Sequence, residues 1–385
     1  MTEQLPLRLA WIDWLKVLVV LGVFVYHAAQ PFVLATWIVV AEEKSLLLSA
    51  FAGLGYLFGM PLMFLLAGAA SWAALRTTPV RTYVGKRLRL TVPLVAGIAI
   101  LSPVQAWVGA LTRGDATPLP EFVVGFWRDV EPVTGPIWLG LVGYHLWFIG
   151  FLLIYAVVSV PILLRMRPGE GPMRSTALLL TTPIAALTVL QLPLRSAYPA
   201  YRDWADFALW LGYFLLGAAM LAWRPMLAAL TRHGRIMLVP GVLLAGALVP
   251  LFLVGPGFSL ESEPRFDLPG VAYLLLRTAV GWCWVSVAVW IGARWFDRRP
   301  EQARAASGLV LPFYVLHHPI VVVVAAIVVT WPVGAWLKFA AIVGWSLALS
   351  VGVSAAVART RLLRPGLGLG APARPDGMPA RRGVI

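Results

Sequence analysis

Three polar side chains lie inside the first long apolar segment of the chain, residues 11–33, and they could do chemistry there. They are Asp13, Lys16 and His27. An α-helix turns by about 100° per residue, so Lys16 and His27 lie within about 20° of the same face and about 16 Å apart along the axis. Asp13 lies on that face one turn before Lys16. Ionisable groups in a membrane helix face the protein interior or water, so this face is a candidate functional site.

His27 is the candidate general base on this face. A neutral imidazole can take a proton from an attacking hydroxyl group near working pH. The same residues also have a purely structural interpretation: Lys16 and Asp13 form a pair that carries the amine toward the membrane surface, and His27 only bonds a carbonyl near the interface. If the face is functional, Lys16 and His27 should line one water-filled cavity.

Further candidates lie in three other apolar segments. His145 and Trp147 fall in "YHLWFIG", and Tyr314 and His317 lie one helical turn apart in "PFYVLHHPIV". Arg277 lies within "VAYLLLRTAVGW" and needs a partner that the sequence does not identify. Aromatic and histidine side chains near a membrane interface often only anchor a helix, so each of these candidates has a structural alternative.

A basic cluster precedes the third apolar segment, in "KRLRLTVPL". It contains Lys86, Arg87 and Arg89. Clustered cations at a helix start can bind phosphates through charge-assisted hydrogen bonds. Membrane topology alone also demands a basic loop on the cytoplasmic side, so phosphate binding is one of two interpretations.

The remaining motifs argue against metal and serine chemistry. The five histidines and the single cysteine lack the spacing of metal ligands, and no GxSxG motif or Gly-rich phosphate loop occurs. The sequence therefore predicts no metal site and no bound cofactor.

These residues must be positioned by a membrane protein. The chain has 385 residues, of which 60% are hydrophobic and 12% charged, a balance that soluble domains do not show. Apolar segments long enough to cross a bilayer as helices occupy 11–33, 46–75, 90–110, 145–165, 176–193, 203–223, 236–255, 268–293, 307–329 and 333–357. We predict an all-α polytopic membrane helix bundle of about ten transmembrane helices in residues 1–358, and a basic, disordered Pro/Gly-rich tail in 359–385.

The net charge of +14 indicates orientation rather than nucleic acid binding. Most of the basic residues fall in the loops that share a side with both termini if ten segments cross the membrane. The positive-inside rule then places both termini in the cytoplasm. We expect a multi-pass protein of the plasma membrane. The sequence does not indicate an oligomeric state.

Four segments carry a resemblance to a known family: "DWLKVLVVLGVFVYHAAQPF", "KRLRLTVPL", "HLWFIGFLL" and "FYVLHHPIVV". Together they resemble the acyltransferase 3 family, and more narrowly its branch that contains glucan biosynthesis protein C. The family's basic residue and histidine, separated by ten positions, fall on Lys16 and His27. Its Arg-x-x-Arg element falls on Lys86 and Arg89. Lysine replaces the usual arginine in both motifs and lacks the planar bidentate fork.

The resemblance implies transfer of an acyl group, of acetyl or succinyl type, from cytoplasmic acyl-CoA to a hydroxyl of an extracytoplasmic glycan or related acceptor. It implies that His27 is the base and that Lys16, with Asp13 on the same face, orients the donor. The other expected roles are phosphate binding by Lys86, Arg87 and Arg89, and contacts to the substrate by His145, Trp147, Arg277, Tyr314 and His317. The main alternative is a multi-span secondary transporter or flippase, which would move a lipid-linked or sugar substrate without modifying it.

Overall fold

The computed structural model describes residues 9–130, 133–170, 175–254, 267–360 and 364–368. These residues are mostly helical and form no β-strand. Their α-helices are α1 (Ala10–Ala29), α2 (Leu46–Thr77), α3 (Val80–Leu88), α4 (Thr91–Leu111), α5 (Leu119–Arg128), α6 (Ile137–Val142), α7 (Trp147–Val158), α8 (Val160–Arg165), α9 (Thr176–Ala197), α10 (Trp204–Ala222), α11 (Arg224–His233), α12 (Leu238–Val254), α13 (Leu268–Trp295), α14 (Pro300–Val328) and α15 (Ala335–Arg359).

Nine helical segments within the described ranges are long and apolar enough to cross a membrane. They coincide with nine of the ten predicted segments, and the all-α polytopic bundle is confirmed. The remaining predicted segment, 145–165, is a shorter apolar helix, Tyr144–Val158, followed after Ser159 by α8. Pro161 in the first turn of α8 lacks an N–H group, which favours a new helix start at this point. The cytoplasmic location of the termini stays a prediction.

Most of the predicted tail, 359–385, lies outside the described residues. Of its described part, residues 365–367 form a short 3₁₀ helix in which Leu367 is buried.

Helices α2 and α10 approach each other through a reciprocal pair of glycines. A Cβ atom on Gly68 would lie 1.8 Å from the backbone oxygen of Phe214, and a Cβ atom on Gly217 would lie 1.8 Å from that of Leu65. Small residues at such crossings let two membrane helices come into backbone contact. In lipid the hydrophobic effect does not drive helices together, so this close van der Waals packing stabilises the pair. This contact holds α2, which forms one wall of the site described below, against α10.

The glycine contact predicts a large loss of stability in Gly68→Ala. The added methyl group cannot be accommodated without moving a helix backbone, and overpacking of this kind costs about 3 kcal/mol. We expect a clearly lower melting temperature in detergent. Gly53→Ala in the same helix is the matched control, because its Cβ would meet no atom within 4 Å. Equal melting temperatures for the two variants would contradict the close contact.

Candidate active site

A cavity of about 770 Å³ opens between α1, α2, α13 and the segment that precedes α7. Along α1 its wall runs from Leu15 to Gln30, about 22 Å at 1.5 Å per residue. Near Leu15 the wall is apolar and includes Leu18, Val19, Gly22, Val23, Phe58 and Ile291. Near Gln30 it is polar and includes Tyr26, His27, Thr36, Tyr144, His145, Tyr201, Arg202, Tyr314 and His318.

Four of the chain's five histidines meet at the polar end of this cavity. The ring centroids of His27 and His318 are 4.3 Å apart, and those of His145 and His318 are 4.6 Å apart. His317 lies behind them, 5.5 Å from His27 and 5.4 Å from His145. The structure therefore brings together the candidates His27, His145 and His317, which come from three separate segments. In the described part of the chain no group of three or more His, Cys, Asp or Glu residues is placed to hold a metal ion.

Proline in α14 explains how His145 is held. Pro319 has no N–H group, so the carbonyl of Val315, four residues earlier, lacks its helical donor. The His145 Nε2 atom lies 3.1 Å from that carbonyl oxygen and donates to it. The Tyr314 hydroxyl in turn donates to the backbone oxygen of His145. These two hydrogen bonds thus hold the start of α7 against α14.

His317 and His318 are fixed by different partners. The His317 Nδ1 atom donates to the backbone oxygen of Tyr314 at 2.8 Å. The His318 Nδ1 atom bonds the side-chain oxygen of Gln105 in α4. The amide nitrogen of Gln105 donates to the Leu101 carbonyl at 3.0 Å, so the amide oxygen is the atom that accepts from His318. A neutral His318 then has Nε2 as its proton acceptor.

Sequence reasoning missed Gln105. It lies in the apolar segment "LSPVQAW" and is 1% exposed. A buried amide in such a segment is costly unless it is hydrogen-bonded, and that rule was the available signal. The identity of its partner, His318, follows only from the packing of α4 against α14.

His27 is held by packing. Its ring contacts the rings of Tyr26 and Trp37 as well as that of His318. Its Nδ1 atom is buried and has no hydrogen-bond partner among the described residues. The ring belongs to the cavity wall, where it can exchange a proton with a bound molecule.

The loop 33–45 covers the histidines. It carries Trp37, whose ring lies 5.6 Å from that of His318. Glu43 anchors the loop, because the buried amine of Lys338 in α15 donates to its carboxylate at 2.7 and 2.9 Å. This hydrogen bond lowers the pKa of Glu43, so its carboxylate is ionised at neutral pH.

Lys16 lies apart from His27. Its amine is 3.2 Å from Asp13 Oδ1, and the Ser307 hydroxyl donates to the same oxygen at 3.3 Å. Of the two candidates on α1, His27 belongs to the cavity wall and Lys16 does not. The expectation that both line one cavity is therefore wrong. Pairing with Asp13 one turn earlier holds the Lys16 amine near the start of α1, and its role toward a donor stays a prediction.

The predicted phosphate ligands lie at the same end of the bundle as Lys16, because α2 runs antiparallel to α1. Lys86 and Arg87 are in the last turn of α3, and Arg89 follows it. The Arg87 guanidinium lies 5.0 Å from the centre of the Tyr83 ring. None of the three cations belongs to the cavity wall.

Comparison with known proteins identifies the family. The family model described as "Acyltransferase domain" matches residues 9–355, which include every helix that contributes to the cavity. The chain belongs to the acyltransferase 3 family. It is thus a multi-pass membrane acyltransferase. Neither curated proteins nor solved structures gave a match to this acyltransferase, and the narrower glucan biosynthesis protein C branch stays a prediction.

Arg277 of the acyltransferase has partners that its sequence did not reveal. Its guanidinium lies 3.3 Å from Asp206 Oδ1 and donates to the Tyr56 hydroxyl at 3.0 Å. Arg195 bonds the same carboxylate oxygen. Asp206 is fully buried. Arg277 is not part of the cavity wall, so its contacts indicate a structural role beside the site.

Trp147 of the acyltransferase lies both in the cavity wall and in the core. Its ring stacks on that of Trp210 at 4.5 Å, and it also contacts Phe64 and Phe151. The aromatic cluster around it fixes the start of α7, and with it the neighbouring His145. Its predicted contact with substrate remains a prediction.

Proposed function

We propose that this acyltransferase moves an acyl group, of acetyl or succinyl type, from cytoplasmic acyl-CoA to a hydroxyl of a glycan or related acceptor beyond the plasma membrane. The observation that carries the proposal is the cavity that follows α1 from Leu15 to Gln30. It begins among apolar residues near Leu15 and ends at His27 and His318. Such a cavity can bring a donor from one side to an acceptor from the other.

The donor enters from the end of the bundle that holds Lys86, Arg87 and Arg89. These cations bind the phosphates of CoA through charge-assisted hydrogen bonds. The apolar part of the cavity, from Leu15 to Val23, fits the pantetheine arm, which carries little charge. The thioester carbonyl then lies near His27.

The acceptor hydroxyl reaches the thioester from the polar end of the cavity. Its oxygen attacks the carbonyl carbon while His27 takes the hydroxyl proton. The tetrahedral intermediate collapses, the carbon–sulfur bond breaks, and the imidazolium of His27 returns the proton to the leaving thiolate. The products are the ester and free CoA. His318 acts as a positioning residue, since its ring is fixed by Gln105 and packs against His27.

The experiment uses the full chain in sealed proteoliposomes, which separate the two faces of the membrane. Radiolabelled acetyl-CoA or succinyl-CoA is supplied on one side and a cell-envelope glycan extract on the other, and free CoA thiol and the mass of the glycan are both measured. We expect equimolar CoA release and an acyl mass increment on the glycan. Movement of an unmodified substrate without thioester consumption would instead support a transporter or flippase.

The contact between Gln105 and His318 predicts a loss of kcat that the removal of a buried amide by itself would not cause. Gln105→Leu keeps the side-chain volume and removes the acceptor that orients His318. We expect kcat to fall about 10- to 100-fold, as when partners that orient a histidine are removed in other sites. The measurement is CoA release at saturating donor, with melting temperature in parallel.

Gln191→Leu is the matched control for this variant. Gln191 is also a fully buried amide, but its side chain donates to Thr278 Oγ1 at 2.7 Å, whereas Gln105 bonds His318 of the cavity wall. Gln191→Leu should lower stability and leave kcat unchanged in the folded fraction. Equal kcat values for the two variants would show that Gln105 is only structural.

A further inference from the structure

Arg202 lies in the polar part of the cavity wall and adopts a backbone conformation that is rare for its type. Its φ angle is +69°, in the left-handed region. Such a conformation costs free energy for a residue with a Cβ atom and persists where the surroundings impose it. Here the backbone N–H of Arg202 donates to Asp206 Oδ2 at 2.9 Å, so the buried carboxylate holds the strained residue in place.

The guanidinium of Arg202 is also positioned by its neighbours. Its Nη1 atom donates to the backbone oxygen of Tyr144 at 3.2 Å, and its Cζ atom lies 4.7 Å from the centre of the Tyr201 ring. The side chain packs on Gly140, where a Cβ atom would come within 2.8 Å of Arg202 Nε. That Nε atom is buried and has no hydrogen-bond partner in the ranges that the structure describes. These contacts preorganise the Arg202 guanidinium in the cavity wall.

The charge around Arg202 is unbalanced. Asp206 is the carboxylate beside it, and its oxygens already bond Arg195, Arg277 and the Arg202 backbone. Within the described residues no carboxylate forms an ion pair with the Arg202 side chain. A cation in a wall built mostly from apolar and aromatic residues attracts an anion strongly, since little water competes for it.

We propose that Arg202 forms an anion subsite at the polar end of the cavity, where it binds the carboxylate or phosphate oxygens of a substrate. The inference rests on the proposed function, because it assumes that donor and acceptor meet in this cavity. The anionic group can come from a dicarboxylic acyl chain or from an acidic acceptor. In either case the acyltransferase selects an anionic substrate over its neutral counterpart.

The test compares matched neutral and anionic probes with full-length protein in nanodiscs. One pair is succinyl-CoA and acetyl-CoA, and the other is methyl glucuronide and methyl glucoside. Dissociation constants are measured by calorimetry for the wild type and Arg202→Gln. We expect one pair to show at least a tenfold preference for the anionic member in the wild type and none in Arg202→Gln. The pair that responds identifies the source of the anion.

Three further variants keep the test decisive if Arg202→Gln folds poorly. Arg202→Lys retains the charge but loses the fork, so the preference should fall only in part. Gly140→Ala displaces the guanidinium and should weaken the preference although the charge remains. Arg128→Gln is the control, because Arg128 is exposed, pairs with Asp129 and lies outside the cavity wall; it should match the wild type.

Two results would overturn the subsite. One is a wild type that shows no preference within either pair, and the other is a preference that survives unchanged in Arg202→Gln and Arg202→Lys. Failure of both CoA thioesters to bind, together with an Arg202-dependent preference for the glucuronide, would contradict the proposed donor and support the subsite. The anion subsite and the proposed acyl-CoA donor can therefore be contradicted independently of each other.

Discussion

His27→Ala is expected to lower acyl transfer by about 10²- to 10⁴-fold, the range that a positioned general base contributes. The imidazole lies in the cavity wall, next to His318, and its Nδ1 atom bonds no protein group among the described residues. Its loss therefore removes the proton acceptor while breaking no hydrogen bond that the structure shows. The measurement is the rate of CoA release by the nanodisc-embedded protein at saturating acyl-CoA and acceptor.

The control is His233→Ala. His233 is the remaining histidine, exposed at the end of α11 and outside the cavity. It should match the wild type in rate and melting temperature. A folded His27→Ala protein with full activity would rule out His27 as the base. If His318→Ala alone abolished the reaction, the base would be the histidine that Gln105 orients.

Asp206→Asn is expected to lower the free energy of unfolding by about 3 to 5 kcal/mol, the usual cost of removing one partner from a buried ion pair. Asp206 is fully buried and bonds both Arg195 and Arg277. Asparagine keeps the shape of the side chain and removes the charge, so two buried guanidinium groups lose the carboxylate that they share. The measurement is the melting temperature and the fraction of monodisperse protein in detergent.

Asp129→Asn serves as the matched control for Asp206→Asn. Asp129 also pairs with an arginine, Arg128, but both side chains are largely exposed. Exposed pairs contribute little because water screens them, so the melting temperature should stay that of the wild type. If Asp206→Asn were equally stable, the buried ion network would not be what joins α9, α10 and α13.

The membrane segments could be predicted well because each depends on its own composition. Nine of the ten predicted segments are helices able to cross a bilayer. The prediction for residues 145–165 was less accurate, because hydropathy does not show that the helix is interrupted at Ser159 and Pro161. The close contact of Gly68 with Phe214 was not predicted either, because a glycine within an apolar helix does not indicate which backbone approaches it.

For the candidate site, too, some features follow from the sequence and others only from the tertiary structure. By itself the sequence determined the helices, the spacing that puts Asp13 one turn from Lys16, and His27 as a candidate base, since these depend on composition and on spacing within one helix. Only the tertiary structure decided that His27 lines the cavity without Lys16, that Gln105 orients His318 from 213 residues away, and that Asp206 pairs with Arg277. The physical reason is that helical periodicity places a side chain on a face, whereas its partner depends on which helix packs against that face.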